Sequence, residues 1–257
     1  MKALLLQLDI AWNDAEENIR RAERMMAEHQ DADLVVLPEM WSTGFMTQPE
    51  GKFDDESHSL ALEWMKQKAM ELDCALAGSL AVRDSEGLCR NRHYFVTPSS
   101  VSYYDKHHLF TYGHEHENYT AGSRHQMVTW QGFRLLLLTC YDLRFPVWSR
   151  YGVAGAYDAV IVVANWPARR QEAWEVLTRA RAIENQCYLL AVNRVGDDPV
   201  GHYDGGTVLI DPIGNVVARA EKNTEQPIEG LLSMETLLKR LSHFRVLDDR
   251  DSFLLTE

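Results

Sequence analysis

Residues 34–39 read Leu-Val-Val-Leu-Pro-Glu, and residues 160–165 read Val-Ile-Val-Val-Ala-Asn. Each is a short apolar run that stops at a polar residue. This is the pattern of a strand buried on both faces of a parallel sheet, with its last residue looking into the crevice beyond the strand ends. Outward from the first run, residues 4–8 read as another buried strand. Residues 13–29 carry Ala15, Ile19, Ala22, Met25 and Met26 at helical spacing, with Asn13 or Asp14 as cap. An amphipathic helix over 60–71 and a strand over 75–82 follow, and 90–97 with 101–105 read as a hairpin turning at Pro98-Ser99-Ser100. Outward from the second run the order returns: a strand at 135–138, a turn with a short helix, a helix over 171–184, a strand at 188–192, and a hairpin of 206–210 and 216–219. Residues 34–39 stand in the place of 160–165, and 4–9 in the place of 135–140. Two such halves predict two sheets packed together with helices outside. With no linker or low-complexity stretch, residues 1–257 are expected to form one domain, and the short helix and polar tail from about residue 231 form an extension suited to meeting a partner.

The chain of 257 residues is 46% hydrophobic and 25% charged, so a core of ordinary size can form without disulfides or metal. Its net charge of −12 repels polyanions and argues against nucleic acid or an anionic membrane surface as partner; an anionic small substrate would need local cations. No apolar run approaches ~18 residues and no signal-peptide cleavage pattern follows Met1-Lys2, which predicts a cytoplasmic protein. Cys74, Cys89, Cys140 and Cys187 form no CxxC pair and are expected to be reduced thiols.

The residues that follow the apolar runs carry the chemistry. Glu39, Lys106 and Cys140 are a carboxylate, an ammonium and a thiol, which together could serve acyl transfer as base, oxyanion stabiliser and nucleophile. Cys140 lies where a strand must turn sharply into Tyr141-Asp142-Leu143-Arg144. Backbone dipoles there can lower a thiol pKa, and the Tyr141 N–H can help bind an oxyanion. The other reading is an inert buried cysteine, a solvated strand-end glutamate and a surface lysine beside Asp105. Trp41, Phe45, Met46, Tyr141 and Trp166 are candidates to wall a small apolar pocket, or else core. Arg144 is a candidate to hold a substrate carboxylate, with Arg169 or Arg170 as substitutes and a structural ion pair as the alternative. His107, His108, His114 and His116 have metal-binding chemistry but no matching ligand cluster elsewhere, so they are read as shaping a loop, with no metal.

Taken together, LPEMWSTG (37–44), YYDKHHLF (103–110) and TCYDLRFP (139–146) resemble the three signature segments of the nitrilase superfamily of carbon–nitrogen hydrolases. The segments CYDLRFP, VANWP and RARAIENQ are most similar to its omega-amidase branch, in a bacterial form. The resemblance implies an α/β fold that is a four-layer αββα sandwich with two pseudo-symmetric halves. It also implies a Glu39/Lys106/Cys140 triad and amide hydrolysis through a cysteine thioester, without metal or other cofactor. A second glutamate is implied near the lysine; Glu115 fits its spacing from Gly122 better than Glu117 does. The implied reaction releases ammonia from the terminal amide of a short 2-oxo acid, and the implied assembly is a homodimer. Competing readings are a carbamoyl-amide or nitrile hydrolase of the same superfamily, and a non-catalytic small-ligand binding protein that keeps the fold.

Overall fold

Along β1 (Lys2–Gln7) successive side chains enter two different cores: Ala3 and Leu5 point one way, Leu4 and Leu6 the other. A strand of unbroken apolar residues can do this only inside a sheet covered on both faces. The structure is a computed structural model that describes residues 1–48 and 55–255. Its elements follow β1 as α1 (Ala15–Met26), β2 (Leu34–Val36), α2 (Leu60–Leu72), β3 (Ala75–Arg83), β4 (Cys89–Thr97), β5 (Ser100–Asp105), β6 (Met127–Trp130), β7 (Phe133–Thr139), β8 (Ala159–Ala164), α3 (Gln171–Asn185), β9 (Tyr188–Asn193), β10 (Val195–Asp198), β11 (Gly201–Asp204), β12 (Val208–Ile210), β13 (Val216–Arg219), β14 (Gln226–Leu231) and α4 (Met234–His243).

The strands form two six-stranded sheets, ordered β14-β1-β2-β3-β4-β5 and β13-β12-β9-β8-β7-β6, with β10 and β11 as a separate hairpin. In each sheet three consecutive strands are parallel, β1-β2-β3 and β7-β8-β9, and antiparallel strands flank them. Leu4, Leu6, Val35, Leu37 and Leu76 meet Ala22, Met25, Met26, Leu62 and Met65 of α1 and α2. On the opposite face Leu5, Val36, Ala77 and Phe95 join the core of the second sheet, which α3 covers with Trp174 and Ala182. The result is the expected sandwich of helices, two sheets and helices.

Local chemistry sets the element ends. The Asp14 side chain accepts from Glu17 N at 2.9 Å, so of the two candidate caps the aspartate starts α1. Ser59 does the same for α2 through Leu62 N, and α2 and α3 end on Asp73 and Gln186 in left-handed conformation.

The C-terminal region carries a strand that was not expected, while the short helix expected beyond 231 is α4. Residues up to Leu231 are a strand, β14, that pairs antiparallel with β1 from Lys2↔Leu231 to Gln7↔Gln226, and Leu232 and Leu237 lie in the core. An edge strand carries no buried alternation and tolerates Pro227, so its sequence does not announce it. The strands β6, β10 and β11 were likewise not anticipated, being short and polar or half-exposed.

Candidate active site

Four chain segments arrive at one place beyond the carboxyl ends of β2, β5, β7 and β8. After β2 the chain passes Pro38, presents Glu39 and turns through Met40, whose φ is 42°. Met40 N donates to Ser79 Oγ at 2.8 Å, and Ser79 Oγ donates to Asn91 Oδ1 at 2.8 Å. Asn91 Nδ2 then donates to two carboxylates, Glu39 Oε1 at 2.8 Å and Glu115 Oε1 at 2.9 Å. The asparagine thus spends its acceptor on β3 and both its donors on the site, which fixes its orientation. Lys106 follows β5. Its main-chain N–H donates to Asn91 O, and its carbonyl accepts from Gly122 N, where a side chain would collide with Asp105 O.

Lys106 Nζ lies 2.8 Å from Glu39 Oε1 and 2.8 Å from Glu115 Oε2, and none of the three side chains is exposed. Burial works against the ammonium, but the carboxylates of Glu115 and Glu39 outweigh it and hold Lys106 above its ordinary pKa. Burial raises the Glu115 carboxyl, partly offset by Lys106. Glu115 also accepts Phe110 N at 2.6 Å, whereas Glu117 is exposed and pairs with His114. Of the two candidate glutamates, Glu115 is the one beside the lysine.

Cys140 opens a one-turn 3-10 helix, Cys140–Arg144, with its backbone in the left-handed region at φ 46°. A non-glycine residue held there is strained, and the strain is carried by its surroundings. Asp142 does much of the holding: its buried carboxylate accepts Thr139 N, His108 N and Tyr104 Oη at 3.0, 2.9 and 2.8 Å. The turn aims Sγ at the Glu39 carboxylate and to within 4.0 Å of Asn165 O. Burial first, and then the Glu39 charge, push the Cys140 thiol well above its ordinary pKa, with Lys106 pulling the other way. Burial thus works against the lowered thiol pKa that a turn N-terminus alone predicts.

Asn165, at the end of β8, grips Glu39 from the opposite sheet. Its N–H donates to Glu39 Oε2 at 2.8 Å and its Nδ2 donates to Glu39 O. Asn193 at the end of β9 supports the next residue by accepting Trp166 N and donating to Trp166 O. Neither asparagine, nor Asn91, was a sequence candidate; only the matching of 34–39 to 160–165 pointed at Asn165.

A pocket of about 70 Å³ opens above Cys140, lined by Phe45, Phe110, Tyr141, Arg144, Trp166, Arg170 and Tyr203 among others. That is room for a few water molecules, and so for a small ligand. Phe45, Tyr141, Arg144 and Trp166 are thus on its wall as expected. Trp41 is not: it is fully buried in the core under α2, with its ring 5.2 Å from Trp64. An indole following a strand end has no sequence mark that says which side of the turn it fills. Met46 is also buried away from the pocket, where its carbonyl accepts the Tyr119 hydroxyl.

Arg144 lies over the Trp166 ring at 4.8 Å and Arg170 over Phe110 at 5.0 Å, with Arg169 also on the lining. None of the three is paired with a carboxylate among the described residues. Burial, then the neighbouring Arg169, and also Arg144, push Arg170 below its ordinary pKa. The structural ion pair that was the alternative for Arg144 is absent among those residues.

The loop histidines are spent on structure. His107 stacks on Trp148 and binds Gly122 O, His108 stacks on Phe145 beside Asp142, and His114 binds Glu117. Among the described residues no three His, Cys, Asp or Glu side chains gather as a metal site, and no helix is long and apolar enough to cross a membrane.

This geometry has relatives. The chain is 40% identical to omega-amidase YafV of Yersinia enterocolitica, covering 99% of this chain and 98% of that one. It is 34% identical to 2-oxoglutaramate amidase of Bacillus subtilis, covering 95% of each. A crystal structure of a CN-hydrolase superfamily protein from Xanthomonas campestris, with an arsenic adduct in its active site, superposes with a TM-score of 0.94 at 35% identity, covering 100% of this chain and 99% of that one. Residues 2–239, which contain every strand and all the residues gathered around Cys140, match the family model for carbon-nitrogen hydrolases, and the chain belongs to that family.

Proposed function

We propose that this carbon–nitrogen hydrolase is an omega-amidase, releasing ammonia from the terminal amide of a short 2-oxo acid. The observation that carries the substrate class is the set of three arginines around the pocket without carboxylate partners among the described residues, in a protein of net charge −12. Guanidiniums left uncompensated beside a small apolar pocket favour a short anionic ligand. The names of the relatives support the same class.

In this reading Glu39 takes the Cys140 proton as Sγ attacks the amide carbon. A thiol whose pKa burial holds up favours proton transfer to Glu39 as the attack proceeds. The oxyanion meets the third hydrogen of Lys106 Nζ, whose other two go to Glu39 and Glu115, and the Tyr141 N–H, which has no intrahelical acceptor at the start of its turn. Glu39 gives the proton to the leaving nitrogen, and ammonia departs from the thioester. A water then yields a proton to Glu39 and its oxygen to the acyl carbon, and the thiol is reformed as the carboxylic acid leaves. Glu115 keeps Lys106 charged and in place. Arg144 holds the substrate carboxylate, and Phe45 and Trp166 pack its short stem.

Residues 1–257 act as one catalytic unit in this reading, in the cytoplasm and as a homodimer; light scattering that gives the mass of one chain at all concentrations would refute the dimer. The test of function is ammonia release from a short 2-oxo omega-amide, a neutral short amide, a nitrile and a carbamoyl amino acid. Preference for the first by ten-fold or more in kcat/KM supports the proposal, and preference for either of the last two moves the enzyme to another branch of its family.

A further inference from the structure

Tyr203 was not a sequence candidate, yet it lines the pocket with no exposed surface, and its hydroxyl makes no hydrogen bond of ordinary geometry among the described residues, Asp198 being the acid beside it. A buried phenol normally finds one, because an unmade bond there costs stability. The surroundings fix the ring while leaving the hydroxyl unused. Tyr203 sits on β11 and pairs with Gly196 of β10, and the fully buried Arg194 guanidinium lies 4.5 Å from the centre of its ring. Arg194 is itself anchored to Asp198 Oδ2 at 2.9 Å and to Ile10 O at 3.1 Å. Asp198, the nearest acid, spends its other oxygen on Val200 N and Gly201 N. The hydroxyl therefore lies on a rigid hairpin, inside the substrate pocket. It shares that pocket with Cys140 at one place and with Arg144 and Arg170 at another.

A donor on the wall of the pocket that holds both Cys140 and the arginines can meet the middle of a short substrate held at its two ends. Its scissile amide is at Glu39 and Cys140 and its carboxylate is at the arginines, so the atom between them is the 2-oxo carbon. We propose that the Tyr203 hydroxyl donates a hydrogen bond to the 2-oxo oxygen and makes the enzyme select oxo acids over their deoxo counterparts. This rests on the omega-amidase reading and adds to it a residue that reads the oxo group separately from the carboxylate. Burial, with the Asp198 charge beside it, keeps the phenol protonated throughout the working pH range, so it serves only as a donor.

The experiment compares kcat/KM for 2-oxosuccinamate and for succinamate, which keeps the carboxylate and lacks the oxo group, in the wild type and in Tyr203→Phe, with melting curves for both. The wild type should favour 2-oxosuccinamate, and Tyr203→Phe should cut that preference by about ten-fold, through KM for the oxo substrate, because a site built around a hydrogen bond discriminates by that bond. Its melting temperature should be equal or higher, since an unpaired buried hydroxyl has been removed. Equal losses on both substrates, or a lower melting temperature with an unchanged preference, would overturn the assignment and make Tyr203 a structural partner of Asp198. A wild type that prefers carboxylate-bearing amides but treats the two alike would overturn it too, while leaving the omega-amidase reading in place. If the wild type hydrolyses neither compound, that reading falls and Tyr203 with it.

Discussion

The two sheets are built alike and furnished differently. Strand for strand, β14, β1, β2, β3, β4 and β5 correspond to β6, β7, β8, β9, β12 and β13, with the same parallel trio and the same antiparallel flanks. Corresponding positions can therefore be compared directly. Lys106 donates its main-chain N–H to Asn91 O just after β5, and Ala220 donates its own to Thr207 O just after β13. Glu39 ends the run that Asn165 ends in the other half, and the two are hydrogen-bonded to each other. The sequence match of 4–9 to 135–140 sets Asp9 against Cys140, but Asp9 is half-exposed, faces Arg21 and Arg194, and bridges to Val195 of β10. The first half supplies carboxylates and ammonium, and the second supplies thiol and amide. The difference teaches that the duplicated scaffold fixes only where chemistry can happen, while a few strand-end side chains decide which of the equivalent places is used.

The largest break in that comparison should come from Cys140→Ala, which removes the group proposed to carry the acyl intermediate. It should lower turnover on the order of 10³-fold or more, measured as ammonia release. Near-normal activity would make the two strand ends equivalent after all. Next is Lys106→Ala, which gives the first half the residue its counterpart has. Two buried carboxylates would lose their shared cation, a change that costs about 3–5 kcal/mol when a buried charge is left unpaired, and denaturant titration would show it together with the loss of activity. If stability is unchanged, the ammonium is not what holds Glu39 and Glu115 together.

The interface between the halves can be probed by pH. His93 of β4 is fully buried and bonds Leu138 O of β7 across the two sheets. Burial lowers its pKa to about 4 from 6.5. The unfolded chain thus takes up a proton more readily than the folded one. The stability tied to His93 is whole above pH 6.5 and is lost as pH falls through 4, by about 3 kcal/mol. His93→Gln should flatten the fall in melting temperature between those pH values, and an unaltered slope would assign that fall to other groups.

Smaller effects follow at the mouth. Arg144→Lys should raise KM for carboxylate-bearing amides about ten-fold while touching neutral short amides far less, since an ammonium lacks the planar fork. Proportional losses with a lower melting temperature would make Arg144 structural. The smallest effect is expected at Asp9, which the repeat matches to Cys140. Asp9→Asn should change kcat/KM by less than about two-fold, as exposed ion pairs contribute little, and a loss like that of Cys140→Ala would dissolve the distinction between the halves.

What could be read from sequence follows the same division. Runs such as 34–39 and 160–165 were legible because burial on both faces leaves an unbroken apolar mark, and the residues that end them could be named by position. Edge strands carry no such mark: β14 mixes Gln226, Pro227 and Glu229, and β6 is four residues long. In the site, Glu39, Lys106 and Cys140 had both a position and a chemistry to announce them. Asn91, Asn165 and Asn193 act through hydrogen bonds that depend on three-dimensional register, and an asparagine in a strand looks the same whether or not it holds a glutamate. Tyr203 lies in a hairpin whose sequence is polar and short, and for the same lack of periodicity the sequence leaves Trp41 open between pocket wall and core, where the structure puts it in the core.

The pairing of β14 with β1 reaches beyond the finished molecule. The strand that begins the first sheet receives its outer neighbour from residues 226–231, after the whole second sheet has been made. During synthesis, at about 5–20 residues per second, the row of backbone donors and acceptors along Ala3-Leu4-Leu5-Leu6 waits unpaired until that segment emerges. An open, apolar edge is a template for joining the wrong chain, and closing so long a loop slows its capture by the right one. The two look-alike halves are therefore not separable modules. A chain that ended before residue 226 would hold the strand-end chemistry of both halves and still leave the first sheet open along β1.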